Sequence, residues 1–566
     1  MFKLINRLFF KKSISNIEIE SANIEKKGEL KRVLSVYDLT LFGIAAVIGA
    51  GVFSTIGRAA YDGGPGISVL FLITAVTCGF SALCYAEFAS RVSIAGSAYT
   101  YAYICFGEIV AWMIGWSLIL EYSIGNVVVA ISWSSYFENL LKGFHINIPE
   151  YLLTNFGTAK RAFKEFTLAH GDLTKLTPDI IKNYQAYIDA PIILGRKLII
   201  NIPAFIIVSF ITVLTYIGIK ESKKSTNAMV IFKIIVIIFI IVLGFFYVNP
   251  DNWEPFMPNG IGGVLAGVSA VFYAYIGFDA ISTTSEECKN PKRDLPLGMI
   301  YSLIICTVLY ILVALVLTGV VSYKELKVDD PLAYIFEKIK FSKISYIISI
   351  SAIVATTSVL LVFQIGQPRI WMSMSRDGLL PKRFGRINPK FKTPGFSTLI
   401  CGCIIAILAL IADSGLMTEL TSIGTLFAFV IVCIGVLFLP PRTDNNTKGY
   451  RLPYFNGRYI IPIIIIIFFI LNFSKIKAIF EVGHIILFSE VLFLIFIVSS
   501  FIAGFFTYKL KLNIIPIVGA LSCIFLMTEI PAISWVFFLI WLAIGLTIYF
   551  GYSKNHSNLN PNKDNS

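Results

Sequence analysis

About fourteen apolar stretches, most of them as long as a bilayer is thick, constrain this chain more than any other feature. They run over 38–60, 67–90, 97–123 (continuing toward 137), 199–218, 227–248, 262–285, 297–321, 344–370, 397–413, 419–439, 459–473, 485–507, 513–528 and 532–552. A helix needs roughly 20 apolar residues to cross the hydrocarbon of a membrane. In that medium only helices and closed barrels satisfy their own backbone polar groups. Composition agrees: the 566 residues are 56% hydrophobic and 14% charged, where a soluble domain carries about 25% charge. The chain is expected to be an all-α polytopic membrane protein with its N- and C-termini in the cytoplasm.

The net charge of +13 raises a nucleic-acid reading, which its distribution opposes. Basic residues gather in alternate loops, as orientation in a membrane requires. One set is Lys3, Arg7, Lys11 and Lys12, another is Lys220, Lys223 and Lys224, and a third lies between Arg376 and Lys392. The partners expected are therefore the lipid bilayer and a small molecule, not nucleic acid. The nine cysteines lie mostly inside apolar runs, which opposes a disulfide framework. Cys401-Gly402-Cys403 has no further ligands nearby, and the four histidines lie outside the interior of the first ten spans. No metal site, cofactor or catalytic constellation is expected. No phosphate-binding Gly-x4-Gly-Lys-Ser/Thr sequence occurs, so ATP-driven transport by this chain is not expected.

Two of the spans carry glycine at mid-depth. Leu39 to Ala60 contains Ile48-Gly49-Ala50-Gly51, and Val264 to Ser285 contains Tyr275-Ile276-Gly277-Phe278-Asp279. Backbone freed inside a membrane is tolerated only where protein buries it or where it lines a cavity. A matched pair of interrupted spans, one in each half, points to a transporter's substrate site. The first ten spans divide into two sets of five, with a break in the first span of each. An odd number per set inverts the second relative to the first. The expected organisation is a cytoplasmic segment 1–37, a first repeat 38–248 with an outer loop 139–197, an inverted repeat 260–440 and a cytoplasmic loop 441–458. Peripheral helices at 459–552 and a disordered cytoplasmic tail at 553–566 complete it. The outer loop mixes charges with Leu, Phe and Ile, and short surface helices are expected there.

An unwound helix exposes N–H groups on one half and carbonyls on the other. The first suit a carboxylate and the second an ammonium ion or a cation. A zwitterion can thus be held without charged side chains, with Gly49, Ala50 and Gly51 allowing close approach. Tight helix packing through small residues is the competing account of these glycines. Ionisable groups inside spans are costly and usually functional. Lys233 in the fifth span is either a desolvated amine that takes and releases a proton, or a side chain snorkelling to the interface. Glu121 in the third span either senses a cationic substrate or relays protons, or makes a structural hydrogen bond. Glu87 is a candidate for a structural or gating role, and Asp279 for capping the lower half-helix or holding an inner gate. Thr356, Thr357 and Ser358 in the eighth span either bond Lys233 or an ion, or bond their own helix.

Phe272-Tyr273-Ala274-Tyr275-Ile276-Gly277-Phe278-Asp279-Ala280, then Glu286-Glu287-Cys288-Lys289-Asn290-Pro291 and Arg293-Asp294-Leu295-Pro296, resembles the sixth-span signature of cationic amino-acid transporters. These belong to the amino acid–polyamine–organocation superfamily. Further matches are Gly96-Ser97-Ala98-Tyr99-Thr100-Tyr101-Ala102-Tyr103, Gly366-Gln367-Pro368-Arg369-Ile370, Ser375-Arg376-Asp377-Gly378-Leu379-Leu380-Pro381 and Ile548-Tyr549-Phe550-Gly551-Tyr552. The resemblance covers most of the chain outside 139–197 and 443–512. It implies a leucine-transporter-like fold with five-plus-five inverted repeats. It implies a substrate carboxylate at the backbone of Gly49, Ala50 and Gly51, and a substrate amine at carbonyls of Val47, Tyr273, Ala274 and Ile276, beside Gly277. It places Lys233 where related transporters hold a sodium ion, with Thr357 or Ser358 as its neighbour, which implies sodium-independent, proton-linked uptake. The expected function is a permease for L-amino acids, cationic ones among the candidates. An exchanger and a non-transporting amino-acid sensor are the alternatives. Substrate identity and oligomeric state are left open by the sequence.

Overall fold

The computed structural model describes residues 9–12, 34–440 apart from 93, 95, 171, 173–175, 194, 219–221 and 329, and then 449–479 and 487–559. The expectations placed on Lys3, Arg7 and Lys220, on most of 1–37 and on 560–566 lie outside the described residues. Eight helices among the described residues are long and apolar enough to cross a membrane, nine counting the bent pair Gly260–Ala266 and Val268–Ser285. Five shorter apolar helices accompany them: Val36–Val47, Ile202–Ile217, Gly395–Ile411, Ile460–Leu471 and Ile514–Thr528.

The first apolar run becomes α1 (Val36–Val47), a π-turn over Gly51–Thr55 and α2 (Ile56–Gly63). Next comes α3 (Ile67–Arg91), whose last turn carries Arg91 where the helix dipole favours a cation. The third expected span divides in two, a correction to the run drawn from residue 97. A short α4 (Ala98–Cys105) ends before Gly107, and the long α5 (Glu108–Gly143) follows. Gly107 has φ +95°, and a Cβ there would lie 2.5 Å from the carbonyl carbon of Phe9. Hydropathy does not register such a corner, because both arms are buried and apolar.

The long loop folds into α6 (Phe156–Leu168) and α7 (Pro178–Asp189), followed by β1 (Ile192–Ile193) paired antiparallel with β2 (Arg196–Lys197). Phe163 and Phe166 stack on Tyr184, which holds the two helices together. Asn155 caps α6 through the Thr158 N–H at 2.9 Å. Buried Glu138 near the end of α5 receives Lys142 and Lys182, each at 2.7 Å, so the loop is clamped to the helix that precedes it.

The chain continues through α8 (Ile202–Ile217), with Pro203 in its first turn and Asn201 capping Ala204, and α9 (Ser222–Phe245). The second interrupted run comprises α10 (Gly260–Ala266), α11 (Val268–Tyr273) and a 3-10 helix over Phe278–Glu287. Then come α12 (Pro291–Val320), α13 (Pro331–Lys338), α14 (Ser342–Arg376), α15 (Gly395–Ile411) and α16 (Ser414–Val436). One continuous apolar core joins these elements, and α5 packs along α14 while α3 packs along α12.

The C-terminal helices are α17 (Ile460–Leu471), α18 (Phe473–Ile479), α19 (Phe488–Leu510), α20 (Ile514–Thr528) and α21 (Ala532–Ile548). The last two are integrated with the main body. The Trp112 indole donates to the Gly545 carbonyl at 2.8 Å, and Trp116 and Trp541 exchange indole-to-carbonyl bonds at 2.8 and 2.9 Å. The disorder expected from residue 553 onward does not hold for its first part. Ser553 donates to the Leu379 carbonyl at 2.7 Å, and the Asn558 N–H donates to the Asp377 carbonyl at 3.0 Å. A polar tail lacks a core of its own, but here it supplies donors to carbonyls of the loop that follows α14.

Candidate substrate and coupling site at the helix breaks

The two interrupted runs meet. α1 ends at Val47, and Ile48 leaves helical geometry with φ −77° and ψ 97°. A Cβ on Gly51 would lie 2.3 Å from the Cα of Ala274, and a Cβ on Gly49 would lie 2.7 Å from Cγ2 of Val359. Gly277, at φ +115°, needs glycine for its backbone, and a Cβ there would lie 2.8 Å from the Cβ of Ala46. The breaks therefore interlock through Gly51 and Gly277, each of which touches the backbone or β-carbon of an alanine on the opposite run, while Gly49 packs against α14. This contact accounts for two of the three glycines, and it brings Val47, Gly49, Ala50, Gly51, Tyr273, Ala274, Ile276 and Gly277 into one region.

Lys233 of α9 reaches into the first break and is fully buried. Its ammonium donates to the carbonyls of Ile48 at 2.8 Å and Ala45 at 3.1 Å, and to the Ser358 hydroxyl at 3.2 Å. A buried, triply bonded ammonium does not snorkel, so that alternative for Lys233 is excluded. The hydroxyl expectation divides. Ser358 meets the lysine, whereas Thr357 accepts from the Trp133 indole at 3.1 Å and donates to the Ile353 carbonyl at 2.6 Å. Thr356 bonds the Ala352 carbonyl of its own helix at 2.6 Å. Successive helical residues point about 100° apart, so only one of the three faces Lys233.

Glu121 and Asp279 are buried and act electrostatically on each other. One Glu121 oxygen faces the Thr425 hydroxyl; among the described residues its other oxygen and both Asp279 oxygens complete no hydrogen bond of normal geometry. The Asp279 carboxyl lies against the backbone N–H groups of Gly277, Asp279 and Ala280 at the start of the lower half-helix, the place expected of a cap. The hydroxyls of Tyr85 and Tyr122, also without hydrogen-bond partners among the described residues, belong to the same polar interior. Glu87 lies elsewhere, paired with Arg91 at 2.8 Å and accepting the Leu452 N–H at 2.8 Å. That arrangement fits the structural or gating expectation and not substrate contact.

Sequence reasoning missed three features. The Tyr310 hydroxyl on α12 donates to the carbonyls of Val47 and Ala274, both at 2.9 Å. The Tyr273 hydroxyl donates to the Gly125 carbonyl at 3.1 Å. Arg369 and Glu287, each inside a quoted motif, form an ion pair at 2.5 Å between α14 and the end of the second broken run. The available signal was a tyrosine, or an unmatched charge, inside or at the end of an apolar run.

A helical, multi-pass membrane protein whose interior polar site is built from interrupted helices belongs to the class of membrane transport proteins. The chain is a member of the amino acid permease family. The amino acid permease family model matches residues 34–480, and a model of the permease C-terminus matches 512–557. It is 37% identical over 554 residues to the branched-chain amino acid permease BcaP of Bacillus subtilis (strain 168), covering 98% of this chain and 99% of the relative. It is 35% identical over 557 residues to the methylthioribose transporter of the same organism, covering 98% and 100%. It is 31% identical over 628 residues to the vacuolar cationic amino acid transporter 4 of Arabidopsis thaliana, covering 98% and 97%. The relatives are transporters, and the chain is not an enzyme.

Proposed function

We propose that this protein is a secondary active permease that moves L-amino acids across the cytoplasmic membrane by alternating access, without sodium and with a proton as the coupling ion. The scaffold of this reading is the leucine-transporter-like fold. It has inverted five-span repeats at 38–248 and 260–440, four further spans at 459–552, about fourteen spans in all, and both termini in the cytoplasm. The relatives differ in substrate, so basic and branched side chains both remain candidates; a zwitterionic head group is what the two breaks suit.

The observation that carries the proposal is the ammonium of Lys233 between the Ile48 and Ala45 carbonyls and Ser358. A carbonyl cluster at a helix break needs a positive charge. A lysine supplies one covalently, so no sodium ion is required. A lysine, unlike sodium, can also lose its charge by releasing a proton. The buried carboxyls of Glu121 and Asp279 offer a place for a proton beyond the lysine, since two such groups without a counter-cation do not both ionise readily.

The test is uptake by purified protein in proteoliposomes. A panel of basic, branched, small and acidic amino acids and methylthioribose is offered with sodium or potassium, with and without a pH gradient. Accumulation of an amino acid driven by an acidic exterior in sodium-free medium is the expected result. Sodium-dependent accumulation, or saturable binding with no uptake under any gradient, overturns it.

A further inference from the structure

One buried hydroxyl occupies the position where a substrate ammonium would bind. Tyr310 is fully buried, and its ring is fixed between Phe71, at 5.6 Å between centroids, and Tyr275, at 5.4 Å. The hydroxyl stands 2.9 Å from the Val47 carbonyl at one break and 2.9 Å from the Ala274 carbonyl at the other. Each carbonyl sits where its own helix stops: α1 ends at Val47, and Gly277 turns the second run out of helical geometry three residues after Ala274.

A phenol carries one hydrogen, so it can satisfy only one of two acceptors at a time. The two buried carbonyls therefore share this one hydrogen, and the hydroxyl gives neither of them a full hydrogen bond while it serves the other. An ammonium carries three hydrogens and can serve both together.

We propose that Tyr310 is a stand-in donor: it holds the carbonyls of Val47 and Ala274 while the site is empty and yields them to the α-ammonium of the substrate. The inference rests on the reading that the two breaks bind a zwitterion. It adds a residue that sets how strongly the empty site resists binding, and so how sharply an ammonium is distinguished from a group with no donor. Substrate binding then exchanges a shared hydrogen bond for two full ones. Removing the hydroxyl destabilises the empty site more than the occupied one.

The test measures equilibrium binding to full-length protein in lipid nanodiscs. The probes are L-leucine and L-arginine, each compared with its α-keto acid, which keeps the carboxylate and side chain and offers no donor. In Tyr310→Phe the ratio of amino-acid to keto-acid affinity rises roughly fivefold over wild type, the scale of one neutral hydrogen bond. Tyr310→Met, which also lacks the donor, shows the same rise if the phenylalanine variant is poorly folded. Tyr275→Phe, which removes a neighbouring hydroxyl bonded to the Phe71 carbonyl, keeps the wild-type ratio. An unchanged or lowered ratio in Tyr310→Phe and Tyr310→Met overturns the stand-in role, as does an equal rise in Tyr275→Phe. If wild type binds neither amino acid, the zwitterion reading itself fails, a result separate from the others.

Discussion

Replacing Lys233 with methionine tests the centre of the mechanism with little change in volume. Two effects of opposite sign follow. The fully buried ammonium carries a desolvation penalty of several kcal/mol, and methionine removes it. Against that, the carbonyls of Ala45 and Ile48 lose a donor at 3.1 and 2.8 Å. A buried acceptor left unmade costs about 1–3 kcal/mol, so the pair costs about 2–6 kcal/mol. The first effect favours the fold as a whole, and the second falls on the break itself. The variant should therefore fold while its first break loses the geometry that receives substrate. Even the lower figure of about 2 kcal/mol corresponds to a roughly thirtyfold loss of affinity. Proteoliposomes with an imposed pH gradient provide the assay, alongside equilibrium binding. Wild-type uptake rises as the exterior is acidified, and uptake by Lys233→Met does not respond to the gradient. Wild-type pH dependence in the variant, with affinity within about twofold of wild type, would refute the assignment.

Gly51→Val should abolish substrate binding while the protein still folds, because even a Cβ meets Ala274 at 2.3 Å and overpacking of this kind costs about 1–3 kcal/mol; unchanged affinity in a binding titration removes the backbone site. Glu121→Gln should lower pH-driven uptake of basic and neutral amino acids alike if the group handles protons; selective loss of arginine and lysine uptake would make it a side-chain sensor instead. The docked loop should respond to acid. Burial alone would raise Asp413, but the Leu416 N–H, the Thr158 hydroxyl and Arg161 outweigh it and hold its carboxyl below the usual carboxylate range. A group depressed on folding stabilises the fold above its unfolded value, near pH 4, and that contribution disappears as pH falls through the folded value. The protection of amides in Phe156–Leu168, taken relative to the intrinsic exchange rate at each pH, should fall below about pH 4, and a loss of protection already at pH 6 would contradict the argument.

Most of the architecture was legible because a bilayer imposes one dominant requirement, a run of apolar residues long enough to cross it. The breaks were legible for the same reason, since glycine at mid-depth in two comparable spans is costly unless backbone is used there. What hydropathy could not supply was direction around a helix. Thr356, Thr357 and Ser358 look equivalent in sequence, yet only Ser358 faces Lys233. Tyr310 reads as one aromatic in an apolar run, and its bonds to Val47 and Ala274 come from a different helix in each case. The corner at Gly107 and the docking of Ser553 and Asn558 share this character. Each depends on a partner remote in sequence, which composition and periodicity do not encode.

The interlocking of the breaks bears on how binding and movement are linked. Gly51 touches Ala274 and Gly277 touches Ala46, so in this conformation the two backbones occupy the space between them. On the proposed mechanism a substrate head group enters only if the breaks separate by about the thickness of that group, and its ammonium and carboxylate then span the gap. The lower arms cannot part freely. The Leu34 N–H bonds the Glu287 carbonyl at 3.0 Å, and the Lys289 N–H bonds the Leu34 carbonyl at 2.9 Å, so the start of the first run and the end of the second are zipped together. Glu287 is in turn held to α14 by Arg369. The upper arms, α2 and α10, are joined as well: the Asn259 amide donates to the Asp62 carbonyl at 2.8 Å and the Gly66 N–H to the Phe256 carbonyl at 2.9 Å, so opening on either side breaks hydrogen bonds. On the proposed mechanism, opening toward the long loop parts the Asn259–Asp62 bond, and opening toward the other side parts the Glu287–Arg369 pair. Such a sequence needs no ligand-specific side chain at the breaks, which fits relatives named for branched-chain and for cationic amino acids.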